Sequence, residues 1–167
     1  CIQRCMGIDA TNAIYNVSYE ADKVHNGATQ YHENFKKWLI RFQNEDLVGC
    51  CAQTDVKGDR MLRPADQPNP GSYVYIKERL KDGIVVEGCK LHISEASVAD
   101  EVLVVPTRAL REKDKDYAVS FAIPGDWDGL KQVVSIHNYR PRAHYKRGFM
   151  PGATDSYMIF DNCFVPW

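Results

Sequence analysis

The chain has 167 residues, 44% of them hydrophobic and 26% charged, and 21 Lys and Arg stand against 22 Asp and Glu for a formal charge of −1. That balance gives no electrostatic reason to bind nucleic acid or an anionic membrane surface. With no run of about 18 apolar residues and no basic stretch leading into an apolar core, a cytoplasmic protein without a membrane partner is expected.

The chain opens on Cys1 and closes on Trp167, and so reads as an internal fragment of a longer protein. Apolar residues Ile2, Met6, Ala10, Ala13, Ile14 and Val17 recur at three- and four-residue steps, which predicts a helix with one buried stripe from Ile2 to Val17. Cys1 and Cys5 stand four apart at its start. Side chains at that spacing share a helix face, so the pair is either two buried core thiols or two ligands of one iron–sulfur cluster or zinc ion. Two ligands do not complete a four-ligand site, and the others would come from Cys50, Cys51, a histidine or sequence outside the chain. Six cysteines would make three disulfides in a secreted protein, but a chain of this length builds a core without staples, and free thiols are expected. After the break at HNGATQ, residues Tyr31, Phe35, Trp38, Leu39 and Phe42 predict a second helix ending between Asn44 and Gly49.

Beyond it Pro and Gly become frequent and short β-branched or aromatic runs take over. The expected class is therefore α+β. A boundary near Val48 separates residues 1–48, the end of a helical domain, from residues 49–167, a mainly antiparallel sheet or barrel. CCAQTDVKGDR (50–60) is a short apolar strand entering a polar loop. Its backbone N–H groups, the Thr54 hydroxyl and the Arg60 guanidinium suit a flavin ring edge or a pyrophosphate, and the same residues also suit an ordinary strand exit. SYVYIKERL and GIVVEG flank Asp82-Gly83, a hairpin signal. GCKLHISEASVADEVLVVP (88–106) predicts a strand bearing His92 and Ser94, a small-residue link and an apolar strand. A histidine there is either a satisfied structural residue or an acid–base group. DYAVSFAI and SYMIFD add strands, and between them the basic HNYRPRAHYKRG (137–148) is either a solvated loop or a contact for a phosphate-bearing substrate or a neighbouring subunit.

The order of AQTD, GDR and GCKLHIS, followed by small residues and an apolar strand, is similar to the flavin-binding middle domain of the acyl-CoA dehydrogenase fold. Over nearly the whole chain, CIQRCMGIDATNA, YHENF, TDVKGDR, DGIVVEGCKLH, KDYAVSFAIPGDWDGL and IFDNCFVP resemble one branch of a flavoprotein family. That branch is the 4-hydroxybutyryl-CoA dehydratases (vinylacetyl-CoA Δ-isomerases), and the family also holds the two-component 4-hydroxyphenylacetate 3-hydroxylases. The hydroxylases share the flavin loop and have no iron–sulfur cluster, so the paired cysteines point to the dehydratase branch.

The resemblance implies FAD contacts at Gln53, Thr54, Asp59, Arg60, His92 and Ser94. It implies that Cys1 and Cys5 are two ligands of a 4Fe–4S cluster whose other ligands lie beyond Trp167. Asp155 stands where the family has an active-site glutamate, and it and His92 are the candidate catalytic residues. The implied reaction is an anaerobic lyase and isomerase chemistry on a hydroxyacyl-CoA, in a homotetramer. There the flavin transiently takes one electron to acidify the β C–H bond, while the cluster acts as a Lewis acid at the leaving hydroxyl. The rival expectations are an FAD-dependent aromatic hydroxylase, in which Cys1 and Cys5 are packed thiols, and a non-catalytic assembly module.

Overall fold

The computed structural model describes residues 2–134 and 155–167, and for residues 2–7 the backbone alone. Cys1, the Cys5 side chain and the basic segment 137–148 lie outside the described residues. Two helices come first, α1 (Ile2–Val24) and α2 (Tyr31–Asn44). The first runs past Val17 because the residues that follow, among them Tyr19, Glu20, Ala21 and Lys23, keep good helical contacts, with a Lys23–Glu20 pair at 3.1 Å and Lys23 over the Tyr19 ring. Near its end Asp22 reaches across the turn, taking the Thr29 hydroxyl at 2.6 Å and the Tyr31 and His32 N–H groups at 3.1 and 3.0 Å. It thereby serves orphan donors at the start of α2, whose own N-cap residue, Gln30, makes no side-chain cap.

Among the described residues the strands form two open sheets rather than a closed barrel. In the first, β1 (Gly49–Ala52) runs parallel to β4 (Glu101–Val104), which pairs antiparallel with β5 (Phe121–Pro124). In the second, β2 (Tyr75–Arg79), β3 (Gly83–Ser94), β7 (Asp155–Pro166) and β6 (Leu130–Val134) pair antiparallel in that order. The strands of the first sheet have only four residues, too few to curl around and pair with the second, so among the described residues the two sheets stay separate. The sheets instead stack face to face. Cys50, Ala52, Val102, Val104 and Ile123 from one meet Val86, Ile93, Met158 and Phe160 from the other.

The period of two in a strand turns the alternate residues Cys51 and Leu103 to the outer face of the first sheet, where they meet Ala10, Ile14 and Trp38 of the helices. A buried carboxylate fixes this docking: Glu101, 2% exposed, accepts from Trp38 Nε1 at 3.0 Å and pairs with Arg41. Glu101→Ala would leave the indole N–H without its acceptor, and we expect it to cost about 2 kcal/mol of stability. Urea denaturation should show that loss as a lower midpoint with an unchanged slope.

Candidate functional site

β1 delivers the chain at Ala52 into Gln53, Thr54 and Asp55, alongside β3. The Leu91 N–H donates to the Thr54 carbonyl at 2.8 Å, and Asp55 forms an isolated antiparallel bridge with Lys90. On β3 the inward positions are Ile84, Val86, Gly88 and then Lys90, so a lysine occupies a core position. It is 2% exposed, with Nζ 2.7 Å from Asp55 Oδ1, and it donates to the Gln53 and Val105 carbonyls at 2.9 and 2.8 Å. Three donors thus meet three acceptors, the condition for keeping an ammonium inside a protein. The Thr107 hydroxyl lies 2.5 Å from both the Gln53 carbonyl and Asp55 Oδ2, and takes the Asp55 N–H at 3.3 Å. Burial pushes the Lys90 ammonium below its ordinary pKa, and the adjacent Asp55 carboxylate opposes that shift.

Two residues further on, β3 breaks its alternation. The register with β7 shifts between Lys90 and Ile93, and His92 adopts φ 57°, left-handed backbone that a non-glycine residue enters only when its surroundings force it. The extra residue resets the parity. Ile93 returns to the core at 2% exposure while His92 and Ser94 turn outward. Ser94 lies opposite Asp155, the first residue of β7, and its hydroxyl donates to Asp155 Oδ1 at 2.5 Å. Further along the same face, the hydrogen-bonded Cys89 thiol and partial burial push the Tyr157 phenol up to about 12, so it stays protonated at neutral pH.

The loop after Asp55 is built separately. Lys57 and Gly58 take φ 74° and 54°, and the buried Gln67 amide accepts the Asp59 N–H at 3.1 Å and donates to the Asp59 carbonyl at 2.7 Å. The Asp59 carboxylate takes the Met61 N–H at 2.9 Å, and Arg60 is exposed. Five of the expected flavin and catalytic residues, Gln53, Thr54, His92, Ser94 and Asp155, therefore share one polar lip where β1, β3 and β7 end or begin. Asp59 and Arg60 stand on the neighbouring loop, tied to the interior through Gln67.

Cys50 and Cys51 do not face one site together. They point to opposite faces of β1, and burial pushes the Cys50 thiol up to about 12. Cys163 is likewise buried and pushed up to about 11. Among the described residues no group of three or more His, Cys, Asp or Glu side chains gathers as a metal site would require. The residues that sequence reasoning passed over are Lys90, Asp55 and Thr107. The signal for Lys90 was its parity, since it continues the inward series of Ile84 and Val86.

The polar groups of these segments divide between the interior and the surface. The Gln53 and Thr54 carbonyls are turned to partners within the protein, while the Gln53 side chain is exposed and those of Thr54 and Ser94 are half-buried. A family model described as 4-hydroxyphenylacetate 3-hydroxylase N terminal matches residues 1–167. The chain is 41% identical, over 99% of its own length and 35% of the other, to a 4-hydroxybutyryl-CoA dehydratase/vinylacetyl-CoA Δ-isomerase of Clostridium aminobutyricum. It is 29% identical to the oxygenase component of a Thermus thermophilus 4-hydroxyphenylacetate 3-monooxygenase, over 95% of this chain and 33% of that one. The structure of an oxygen-tolerant archaeal 4-hydroxybutyryl-CoA dehydratase from N. maritimus superposes with a TM-score of 0.89 at 32% identity, covering 100% of this chain and 34% of that one. A 4-hydroxyphenylacetate 3-monooxygenase oxygenase component complexed with FAD superposes with a TM-score of 0.72 at 28% identity, over 95% and 33% of the two chains. The chain spans about a third of the length of the curated relatives it matches.

Proposed function

The chain belongs to the 4-hydroxyphenylacetate 3-hydroxylase family, and on that premise we propose that the whole protein dehydrates 4-hydroxybutyryl-CoA or a related hydroxyacyl-CoA to an enoyl-CoA, with vinylacetyl-CoA isomerisation as a second activity. The observation that carries this reading is the 41% identity to the Clostridium dehydratase, against 29% to the Thermus hydroxylase over a similar length. The cofactors are FAD and a 4Fe–4S cluster, the assembly is a homotetramer, and the protein works in the cytoplasm. Residues 1–48 end a helical domain and residues 49–167 form the flavin-binding domain. FAD binding draws support from the FAD-bound oxygenase with the same fold and from the donor set of the lip. Cys1 and Cys5 hold the cluster at the start of α1, whose backbone is helical from Ile2 onward. The remaining ligands come from sequence beyond Trp167.

Bound flavin supplies a reversible one-electron oxidation of the thioester substrate, and the cluster a Lewis acid at the departing hydroxyl. This chain's own residues orient and move protons. Gln53, Thr54, His92 and Ser94 receive the ring edge, and Asp59 and Arg60 receive the more polar part of the cofactor. Asp155 takes or returns a proton at Oδ2 while Ser94 steadies Oδ1. His92, turned outward by the bulge, offers its imidazole at the same lip.

Anaerobic purification of the full-length protein, with FAD, iron and sulfide analysis and turnover of 4-hydroxybutyryl-CoA, tests the reading. Both cofactors and enoyl-CoA formation are expected. A flavoprotein that holds no iron after reconstitution, and that consumes oxygen on phenols with reduced flavin, would be an aromatic hydroxylase instead.

A further inference from the structure

A buried ion pair lies directly beneath the lip. Lys90 Nζ reaches three different segments: Asp55 in the loop, the Gln53 carbonyl just past β1, and the Val105 carbonyl just past β4. The parallel pairing of β1 and β4 runs out at Ala52 and Val104, with a last bond from the Val105 N–H to the Ala52 carbonyl at 3.3 Å. Beyond that point the two exits are held together by side chains, the Lys90 ammonium and the Thr107 hydroxyl, rather than by a ladder.

The grip on Gln53 has a directional consequence. Its carbonyl accepts from Lys90 Nζ, and the Thr107 hydroxyl, with one hydrogen to share between this carbonyl and Asp55 Oδ2, lies 2.5 Å from it on the same inner side. A peptide unit is planar and trans, so its C=O and the N–H of the next residue point to opposite sides. With the Gln53 carbonyl drawn to Lys90 and the Thr107 side, the Thr54 N–H is turned the opposite way, outward from that buried cluster. An outward backbone N–H beside a hydroxyl is a donor pair suited to the carbonyl and nitrogen edge of a flavin ring.

We infer that Lys90, held by Asp55 and assisted by Thr107, is a positioning residue for the flavin: it fixes the Gln53–Thr54 peptide so that the Thr54 N–H faces the ring edge. The inference rests on the FAD reading above. A purely structural role for the pair makes a different forecast, because exchanging a buried ion pair for apolar side chains of similar volume often leaves stability intact.

The test uses the full-length protein, stripped of FAD and titrated with it while flavin fluorescence, the visible absorption band and the thermal midpoint are followed. In the double variant Lys90→Met, Asp55→Leu, no lone charge is left inside. It is expected to melt near wild type yet to bind FAD about tenfold more weakly, the scale of a charge-assisted hydrogen bond, with a shifted flavin band. Thr107→Val keeps the ion pair and is expected to weaken FAD by about threefold, the scale of a neutral hydrogen bond. A double variant that is stable and has wild-type FAD affinity and spectrum overturns the inference. Should the double variant fail to fold, unchanged affinity in Thr107→Val overturns it and the threefold loss supports it. Wild-type protein that takes up no FAD overturns the cofactor reading itself, a result distinct from any of these.

Discussion

Asp155→Asn in the full-length protein is expected to slow dehydration of 4-hydroxybutyryl-CoA by roughly 10²–10⁴-fold, the range for losing a positioned acid–base group. FAD content and thermal midpoint should stay at wild type. The substitution keeps the shape of the side chain and an oxygen for the Ser94 hydroxyl, which donates at 2.5 Å, but removes the ability to take a proton. Asp155 is half-buried at the first position of β7, directly opposite Ser94 in the β3–β7 register, so its backbone is fixed by the sheet. Only the side chain differs from the glutamate expected of the family, and by one methylene. Asp155→Glu should therefore separate two effects. The longer side chain carries its carboxylate beyond the Ser94 hydroxyl and shifts the preferred acyl chain, read as a change in the ratio of kcat/KM values between hydroxyacyl-CoA thioesters. Activity within twofold of wild type in Asp155→Asn would remove this residue from the mechanism.

The helices and the central strands were legible because each repeats a simple period. Phe35, Trp38 and Phe42 mark the inward stripe of α2, Phe35 buried and the other two half-buried, while Tyr31 at its start stays exposed, and the Asp82-Gly83 signal is the turn that joins β2 to β3, closed by the Leu80 N–H to the Gly83 carbonyl at 2.9 Å. Where two local devices compete, the sequence misleads. DYAVSFAI reads as one strand, yet β5 holds only Phe121–Pro124 and the preceding Asp116 and Tyr117 lie in a 3₁₀ turn. The cause is Asp114, 1% exposed, whose carboxylate accepts the N–H groups of Arg111 and Ala65 and ties that segment to the neighbouring loop. β6 escaped notice because LKQVV mixes polar and apolar residues on an edge strand half open to solvent.

The site shows the same division. The motifs on β1 and β3 were visible, but what aligns them is not local. The bulge at His92 decides which way Ser94 faces, and a single-residue slip reverses every side chain after it. The Ser94–Asp155 contact depends on pairing between residues 61 apart in sequence. Lys90 had a local sign, a charged residue at a core position, whose meaning required knowing that Asp55, Gln53 and Val105 converge on it.

The largest loss of stability is expected from Gly88→Ala, about 3–5 kcal/mol, combining a strained backbone with overpacking against main chain. Gly88 has φ 126°, a conformation that L side chains rarely adopt. A Cβ there would stand 2.1 Å from the Tyr73 carbonyl oxygen, and 2.8 Å from both the Tyr73 carbonyl carbon and Val74 Cα. None of these atoms is the end of a flexible side chain, so relief requires moving the chain that leads into β2. That segment also anchors the loop after Asp55, proposed above to receive FAD, since the Lys57 N–H donates to the Ser72 carbonyl at 3.1 Å. Stability and FAD affinity should therefore fall together in this variant, unlike in Lys90→Met, Asp55→Leu. Gly27→Ala isolates the backbone contribution: φ is 73°, but nothing lies within 4 Å of the added Cβ, and a cost of about 1 kcal/mol is expected. Urea denaturation of the two variants measures the difference. If Gly88→Ala falls within about 1 kcal/mol of Gly27→Ala, below the usual cost of overpacking, the crossing of residues 73–74 over β3 is looser than this geometry requires.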